Sequence, residues 1–313
     1  MQNMLPHFDE FLLSLRSNQY SLETIYNYEH DLMVFDLFLE KDAKIPFDGM
    51  SKKTIDLYKA FLISKDRKTP KKLMRGRVQL SAGSINRMLS TLRRYLAYLG
   101  DNDYPAPIYP NDIKLVKMPR PHARVAEFQQ LVELIESPVH FEKNKNIAKR
   151  NRAMLETLFA TGMRISELLS LNKDQLDRSG KIFIRGKGKK ERFVYLTERA
   201  KNCIKKYLDT RTDEYPALFI PYRGQNAGTT RARISPNYLQ MKIKRYKEQL
   251  GINVPTSAHS LRHGFATYMA EQGANPAALQ ILLGHKSLHT TTRYVHASDK
   301  YAERTHKEFH PLK

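Results

Sequence analysis

Cysteine is almost missing from this chain, since Cys203 is the single one among 313 residues. A lone cysteine excludes an intramolecular disulfide framework and fits a reducing compartment, so we expect a cytoplasmic protein. Long apolar runs are missing as well, because none approaches the ~18 residues that cross a bilayer. Asp9 and Glu10 interrupt the apolar residues near the start, which argues against a signal peptide. We therefore expect no membrane segment.

Acidic residues are scarce relative to basic ones. Lys and Arg number 53 against 32 Asp and Glu, which leaves a formal net charge of +21. Such an excess predicts a polyanionic partner, with nucleic acid as the first candidate. An anionic membrane surface is the alternative, but it usually requires a basic amphipathic helix or a polybasic tail. The basic residues are spread along the whole chain, which favours a long polyanion contacted by two domains.

Prolines divide the chain into two parts. Five of them lie between residues 100 and 124, where no sustained period is visible. Proline-rich segments are stiff and extended, as a linker between domains should be. We predict a helical core-binding domain at 1–105, a linker at 106–122 and a catalytic domain at 123–313.

Hydrophobic spacing predicts helices in the first part. Ser21 and either Ser81 or Ser84 are suited to begin helices as N-caps, and Gly100 is suited to end the last of them. Residues 64–80 contain proline, glycine and many basic residues, so we predict an exposed loop. This loop either lies on phosphates or is merely solvated.

The second part combines helices with one β-hairpin, so the predicted fold class is mainly α with a small β-sheet. Two β-rich runs flank a glycine- and lysine-rich turn in "KIFIRGKGKKERFVYL". Asn275 and Gly284 punctuate a short helix whose first residue is Pro276. The predicted helices span residues 128–135, 151–161, 198–208, 237–250, 260–272 and 276–283.

Three polar residues share one helix face in "AHSLRHGFAT". His259, Arg262 and His263 are spaced at i, i+3 and i+4, although a solvated face is the more common meaning of such a pattern. The two histidines also have the spacing of a zinc-binding helix. Ser260 stands where the metalloprotease pattern has its glutamate, and no carboxylate cluster follows, so we predict no metal site.

Arg164 lies between two apolar helical runs in "FATGMRISELLSL". This context predicts that its side chain lies near the interior, where an arginine needs an anionic partner. Glu167 could be that partner in a structural salt bridge. A bound phosphate could equally be the partner, with Glu167 orienting the guanidinium from behind.

Basic side chains crowd the predicted hairpin turn "RGKGKKER". Glycines on both sides of Lys187 allow the backbone to turn sharply and approach a ligand. The turn therefore fits an anionic groove, although a solvated turn is the ordinary alternative. Its basic residues are Arg185, Lys187, Lys189, Lys190 and Arg192.

Six residues follow one another in an order that resembles the tyrosine recombinase (phage integrase) family. The order is an arginine, a lysine in a hairpin, H-x-x-R, G-H, and a tyrosine nine positions after that last histidine. The resemblance spans roughly residues 120–300, and "YSLETIYNYEHDLMVF" resembles the core-binding domain of the family. Within the family the chain is most similar to the Xer recombinases. The six residues are Arg164, Lys187, His259, Arg262, His285 and Tyr294.

The resemblance implies a SAM-like core-binding domain followed by a mixed α/β catalytic domain with a C-terminal protomer-exchange helix. It also implies cleavage of double-stranded DNA through a 3′-phosphotyrosyl intermediate, with no metal, ATP or other cofactor. The partners would be DNA and three further protomers, as a homotetramer or as a heterotetramer with a second recombinase.

The same resemblance assigns the roles of the residues. Tyr294 would be the nucleophile, His259 would accept its proton, and Lys187 would protonate the leaving oxygen. Arg164, Arg262 and His285 would bind the phosphate, with Glu167 orienting Arg164. Further DNA contacts are expected from basic residues at Lys71, Lys72, Arg75, Arg77, Arg93, Arg94, Arg185 and Lys189.

Other functions compete with an Xer-type resolvase of chromosome or plasmid dimers. A mobile-element integrase or a DNA invertase would use the same chemistry on another site. A non-catalytic DNA-binding protein could have the same fold. A metal-dependent nuclease would lose its activity in chelator.

Overall fold

The computed structural model describes residues 5–64, 79–118, 126–177, 179–185, 191–224 and 227–284. The chain forms two compact units, residues 1–121 and 122–313. Both are mostly helical, and the described strands are confined to a two-stranded sheet in the second unit. This agrees with the predicted fold class. None of the helices in the described ranges combines the length and apolar character required to cross a bilayer.

The first unit contains four α-helices among its described residues. Ser21 Oγ accepts a hydrogen bond from the Thr24 backbone, and Ser81 Oγ accepts one from Ser84, so two predicted N-caps are confirmed. Gly100 does not end the last helix as predicted, because the helix continues through it to Asp101. The helices are α1 (Phe8–Ser17), α2 (Leu22–Leu37), α3 (Lys52–Ile63) and α4 (Ala82–Asp101).

A buried carboxylate joins α2 to α4. Asp31 accepts hydrogen bonds from Arg87 Nη1 at 2.6 Å and from Thr91 Oγ1 at 3.0 Å. The Asp31 carboxylate is fully buried beside the apolar core of the first unit, whereas the Arg87 side chain is 47% exposed. A buried charge is stable only when it is paired, so the contact fixes the two helices against each other.

Part of the segment that we predict as a linker packs on α4. Ile113 is fully buried in the core of the first unit, and its carbonyl accepts a hydrogen bond from Arg93 Nε at 2.8 Å. The Asn86 amide makes two hydrogen bonds with the Val116 backbone, at 2.8 and 2.9 Å. The described residues up to this point therefore belong to the first unit.

The second unit has eight α-helices in its described part. Its longest helix, α7, lies in the core and begins earlier than predicted, because Asn144 Oδ1 caps it by accepting two backbone N–H bonds. The predicted short helix is confirmed, with Asn275 as its N-cap and Gly284 in the left-handed region at its end. The helices are α5 (Phe128–Glu136), α6 (Pro138–Phe141), α7 (Lys145–Thr161), α8 (Ile165–Ser170), α9 (Glu198–Leu208), α10 (Pro236–Gln249), α11 (Ala258–Glu271) and α12 (Pro276–Leu283).

The predicted hairpin is confirmed as strands β1 (Lys181–Arg185) and β2 (Glu191–Tyr195). They pair antiparallel, with Phe183 opposite Phe193, and alternate residues are buried along both strands. Alternation is the rule for a sheet that covers a core with one face. The turn residues 186–190, which include Lys187, lie outside the described residues.

Candidate active site

Three arginines donate hydrogen bonds to three successive carbonyls at the end of α12. Arg192 Nε lies 2.8 Å from the Leu282 oxygen, and Arg262 Nη2 lies 2.6 Å from the Leu283 oxygen. Arg164 Nη2 lies 3.5 Å from the Gly284 oxygen. The last carbonyls of a helix lack partners within the helix and carry partial negative charge, so they attract cations. Strand β2 and the helices α8, α11 and α12 therefore meet at this point.

The two arginines that the sequence predicts as phosphate ligands differ in burial. The Arg262 residue is 4% exposed, and its Nη1 donates a second hydrogen bond, to the Gly162 carbonyl at 2.7 Å. The Arg164 side chain is 35% exposed and begins α8 as its N-cap. Arg262 is thus held by the backbone of two elements, whereas Arg164 is more accessible to solvent and to a ligand.

Glu167 is buried beneath Arg164. Its carboxylate accepts hydrogen bonds from Arg164 Nη1 at 2.9 Å and from the Arg164 backbone N–H at 2.8 Å. Arg192 approaches the same carboxylate as a planar fork, with Nη1–Oε1 at 3.0 Å and Nη2–Oε2 at 2.8 Å. The predicted contact between Arg164 and Glu167 is therefore present, and the two arginines share one acid.

Glu167 remains ionised despite its burial. Burial by itself would raise the pKa of the carboxyl group. The hydrogen bonds from Arg192 and from the Arg164 backbone outweigh that effect and hold the pKa below its ordinary value. A carboxylate at this position can orient Arg164 throughout the neutral pH range.

His259 lies in the first turn of α11, one turn before Arg262. Partial burial of the imidazole lowers the pKa of His259 below its ordinary value, and the charges of Arg262 and Arg164 lower it further. His263 packs edge-on against it, with ring centroids 5.2 Å apart. The imidazole of His259 is therefore neutral at pH 7 and can accept a proton. Among the described residues, no group of three or more His, Cys, Asp or Glu side chains could hold a metal ion.

The turn that leads into Arg164 requires glycine. Gly162 ends α7 with φ of +60°, a backbone conformation that side chains rarely adopt. A Cβ atom at this position would lie 2.4 Å from Cδ1 of Phe265 on α11. The close approach of the two helices places the Gly162 carbonyl within reach of Arg262.

The location of Arg192 differs from the one that its sequence context predicts. We expected it among the basic residues of the hairpin turn, facing an anionic groove. In the structure its side chain is 6% exposed and points to the core side of β2. The sequence does contain a signal for this, because Arg192 shares a strand face with the apolar Val194 two positions later.

Three of the predicted DNA-contact residues lie in the described part of the chain. Arg94 is exposed on α4, and Arg185 is exposed in an ion pair with Glu191 at 2.7 Å. Arg93 is half-buried and already donates to the Ile113 carbonyl. The remaining predicted site residues lie outside the described residues: Lys71, Lys72, Arg75, Arg77, Lys187, Lys189, His285 and Tyr294.

Known proteins resemble this chain over most of its length. The model of the phage integrase family matches residues 124–301, and that of the phage integrase N-terminal SAM-like domain matches residues 8–102. Tyrosine recombinase XerC of Thermodesulfovibrio yellowstonii is 35% identical over 247 residues, which cover 74% of this chain and 77% of that protein. Tyrosine recombinase XerC of Chlamydia caviae is 29% identical, with 98% of this chain and 99% of that protein covered.

Solved structures show the same fold. XerH site-specific recombinase bound to difH substrate matches with a TM-score of 0.67 and 22% identity, over 93% of this chain and 81% of that chain. A lambda integrase dimer bound to a COC′ core site matches with a TM-score of 0.69 and 16% identity, over 92% and 75%. Because family models cover both units and the arginine pair of the family pattern meets at one place, the chain belongs to the phage integrase family and is a site-specific tyrosine recombinase of the Xer type.

Proposed function

We propose that this protein binds double-stranded DNA and resolves chromosome or plasmid dimers, by strand cleavage through a 3′-phosphotyrosyl link to Tyr294. The observation that carries the proposal is the convergence of Arg164 and Arg262 at the end of α12, beside His259. Relatives named tyrosine recombinase XerC favour the Xer-type role over integration or inversion. The reaction would take place in the cytoplasm, where the chromosome lies.

The two guanidiniums suit a phosphodiester whose charge increases during the reaction. As a nucleophile adds to phosphorus, negative charge grows on the non-bridging oxygens. Arg164 and Arg262 are permanently charged and present planar donors that match two such oxygens. Fixed donors aimed at developing charge are usually a large catalytic contribution, and the loss of one costs ~10²–10³ in rate. His285 would donate a further hydrogen bond to the same oxygens.

The nucleophile must lose a proton before or during the attack. A tyrosine has an ordinary pKa of about 10 and is a weak nucleophile at neutral pH without a base. The neutral imidazole of His259 is suited to take the proton from Tyr294 Oη. The same arginine charges that lower the pKa of His259 also favour a phenolate near them.

The departing oxygen needs a proton in return. The bond from phosphorus to the 5′ oxygen breaks as the bond to Tyr294 Oη forms, and Lys187 would protonate that oxygen. The products are a 3′-phosphotyrosyl link and a free 5′-hydroxyl. A 5′-hydroxyl of the partner strand then attacks the link and releases Tyr294, so the energy of the broken bond is conserved and no ATP is required.

The assembly and the wider DNA contacts are part of the proposal. Exchange between two duplexes requires four cleaving protomers, so we expect a tetramer on DNA, either of this chain alone or with a second recombinase. The boundaries 1–105, 106–122 and 123–313 remain our assignment of core-binding domain, linker and catalytic domain. Exposed Arg94 and Arg185 are suited to contact phosphates, together with Lys71, Lys72, Arg75, Arg77, Arg93 and Lys189.

Trapping of the covalent intermediate tests the proposal. Duplexes that the wild-type protein binds are selected from a random library, nicked near the cleavage point, and incubated with protein in chelator. Loss of the short nicked fragment prevents religation, so a covalent protein–DNA adduct accumulates on a denaturing gel. We expect the adduct with wild-type protein and none with Tyr294→Phe, although both bind the duplex equally.

A matched tyrosine variant controls for the loss of a hydroxyl. Tyr109 is 80% exposed in the first unit, and Tyr109→Phe should form the adduct as the wild type does. Equal adduct yield from Tyr294→Phe would contradict the assigned nucleophile. Cleavage that requires a divalent cation and leaves no adduct would instead indicate a metal-dependent nuclease.

A further inference from the structure

Arg192 is a buried arginine that contacts two parts of the active site at once. Its Nη1 and Nη2 bind the two oxygens of Glu167, at 3.0 and 2.8 Å, and its Nε binds the Leu282 carbonyl at 2.8 Å. The first contact reaches the beginning of α8 and the second reaches the end of α12. One rigid, planar group thereby links two helices through three hydrogen bonds.

Each partner of Arg192 adjoins a residue of the proposed phosphate site. Glu167 binds Arg164 through both its guanidinium and its backbone N–H. Leu282 is followed by Leu283, whose carbonyl accepts from Arg262. His285 follows Leu282 by three positions in the sequence.

The end of α12 is seated directly against the Arg192 guanidinium. A Cβ atom built on Gly284 would lie 3.0 Å from Nη1, 3.1 Å from Cδ and 3.2 Å from Cζ of Arg192. Gly284 also has φ of +63°, in the left-handed region that favours glycine. A residue with a side chain at this position would force the Arg192 guanidinium to move. Glycine therefore permits the close approach of the backbone to this guanidinium.

We infer that Arg192 is a positioning residue for strand cleavage, which sets the position of the Arg164 guanidinium relative to the end of α12. This inference rests on the proposed function, since it concerns the same phosphate site. Arg192 itself would not touch the reacting phosphate, because its fork faces Glu167 and its Nε faces Leu282. Its effect would be on the geometry with which Arg164, Arg262 and His285 meet the phosphate.

Geometry, rather than charge alone, is the property that Arg192 supplies. A lysine keeps the positive charge beside Glu167, but its single ammonium group cannot reproduce a two-pronged contact together with a third bond in a different direction. A displacement of about 1 Å among reacting groups can reduce a rate on the order of 10²-fold. We therefore expect both Arg192→Lys and Arg192→Gln to cleave slowly even when they are folded.

The test separates cleavage from binding and from folding. Single-turnover cleavage of the selected, nicked duplex is measured at saturating protein, well below the melting temperature of each variant. Affinity for the same duplex is measured separately by fluorescence anisotropy. We expect Arg192→Gln and Arg192→Lys to lose on the order of 10²-fold in the cleavage rate constant, with affinity unchanged.

Arg211 offers a matched control for the loss of a buried arginine. Its side chain is 3% exposed, it binds Asp213 with two nitrogens, and it donates to the Ala217 and Leu218 carbonyls at 2.6 and 3.0 Å. These partners all lie within residues 213–218, and none of them belongs to α8, α11 or α12. Arg211→Gln should lower the melting temperature but should cleave at the wild-type rate while folded.

The outcomes distinguish this inference from the proposed function. Absence of any adduct with wild-type protein would overturn the proposed function itself. A wild-type adduct together with wild-type cleavage rates in folded Arg192→Gln or Arg192→Lys would overturn the positioning role alone. If Arg192→Gln does not fold, the cleavage rate of Arg192→Lys tests the positioning role by itself, because this variant keeps the charge and changes only the geometry.

Discussion

At the scale of single residues, three arginines at one place are held in three different ways. Arg262 is bound by two backbone carbonyls and is nearly inaccessible, and Arg192 is bound by a carboxylate and a carbonyl. Arg164 is the most exposed of the three and makes the longest contact to α12, at 3.5 Å. A phosphate can therefore approach Arg164 most easily, while Arg192 maintains the geometry around it.

The depressed pKa of His259 leads to a prediction about pH. If neutral His259 accepts the proton from Tyr294, cleavage is lost as the pH falls through the pKa of His259. Burial and the charges of Arg262 and Arg164 place that pKa below the ordinary 6.5, so the acid limb should have its midpoint below pH 6.5. The second-order cleavage rate at subsaturating protein measures this, because it reflects groups of the free enzyme.

A histidine titration by NMR provides an independent value for the same group. The signal of His259 is assigned by its disappearance in His259→Gln, and its midpoint should coincide with that of the acid limb. A midpoint at or above pH 6.5 in either measurement would contradict the electrostatic effect of the two arginines.

At the scale of elements, the contact between α7 and α11 decides where Arg262 can bind. Gly162 ends α7 against the Phe265 ring, and its carbonyl accepts from Arg262 Nη1. The same turn leads directly into Arg164 at the start of α8. A small change in this turn should therefore disturb both the packing of the helices and the arginine pair.

Substitution of Gly162 by alanine tests the packing of this turn. Gly162→Ala would strain the backbone at φ of +60° and place a methyl group within 2.4 Å of Phe265. Strain and overpacking together should lower the free energy of unfolding by about 2 kcal/mol or more. Urea unfolding measures the change.

Gly100 is the matched control for this substitution. It lies in α4, and no atom lies within 4 Å of the position that a Cβ would occupy. Gly100→Ala should be neutral or stabilising by about 0.5–1 kcal/mol, because alanine is the better helix former. Equal stability of Gly162→Ala and the wild type would show that the turn relaxes without cost.

At the scale of the whole molecule, the net charge of +21 is distributed over both sequence halves. Part of it is neutralised locally, as in the pair of Arg185 with Glu191. The remainder would attract a duplex through release of its counterions. The charge should therefore determine the affinity for DNA of any sequence, whereas contacts to base edges determine the site.

This charge predicts a steep dependence of DNA affinity on salt. If ~6–10 phosphates are neutralised, affinity should fall ~10³–10⁵-fold between 50 and 200 mM salt. Fluorescence anisotropy over a salt series gives the slope, and Arg94→Gln should reduce that slope by about one. Arg211→Gln removes the same charge at a buried position and should leave the slope unchanged. Affinity that does not respond to salt would contradict phosphate contacts as the main source of binding.

The sequence by itself determined the elements and the order of the functional residues. Ser21, Ser81 and Asn275 identify helix starts because a cap needs only the backbone a few residues away. The alternation in β1 and β2 identifies the hairpin for a similarly local reason. The spacing from Arg164 to Tyr294 suffices for the family, since it is a property of the chain and not of its packing.

Only the tertiary structure decided which of these residues meet. Arg192 turns inward to Glu167, which is 25 positions away, and Arg164 meets a carbonyl 120 positions away. Ile113 packs in the first core although its proline-rich surroundings predict an extended linker. Such contacts depend on the relative placement of distant elements, which burial of apolar surface decides for the whole unit at once. Local patterns do not encode that placement, and the seating of α12 against three arginines is its clearest result in this protein.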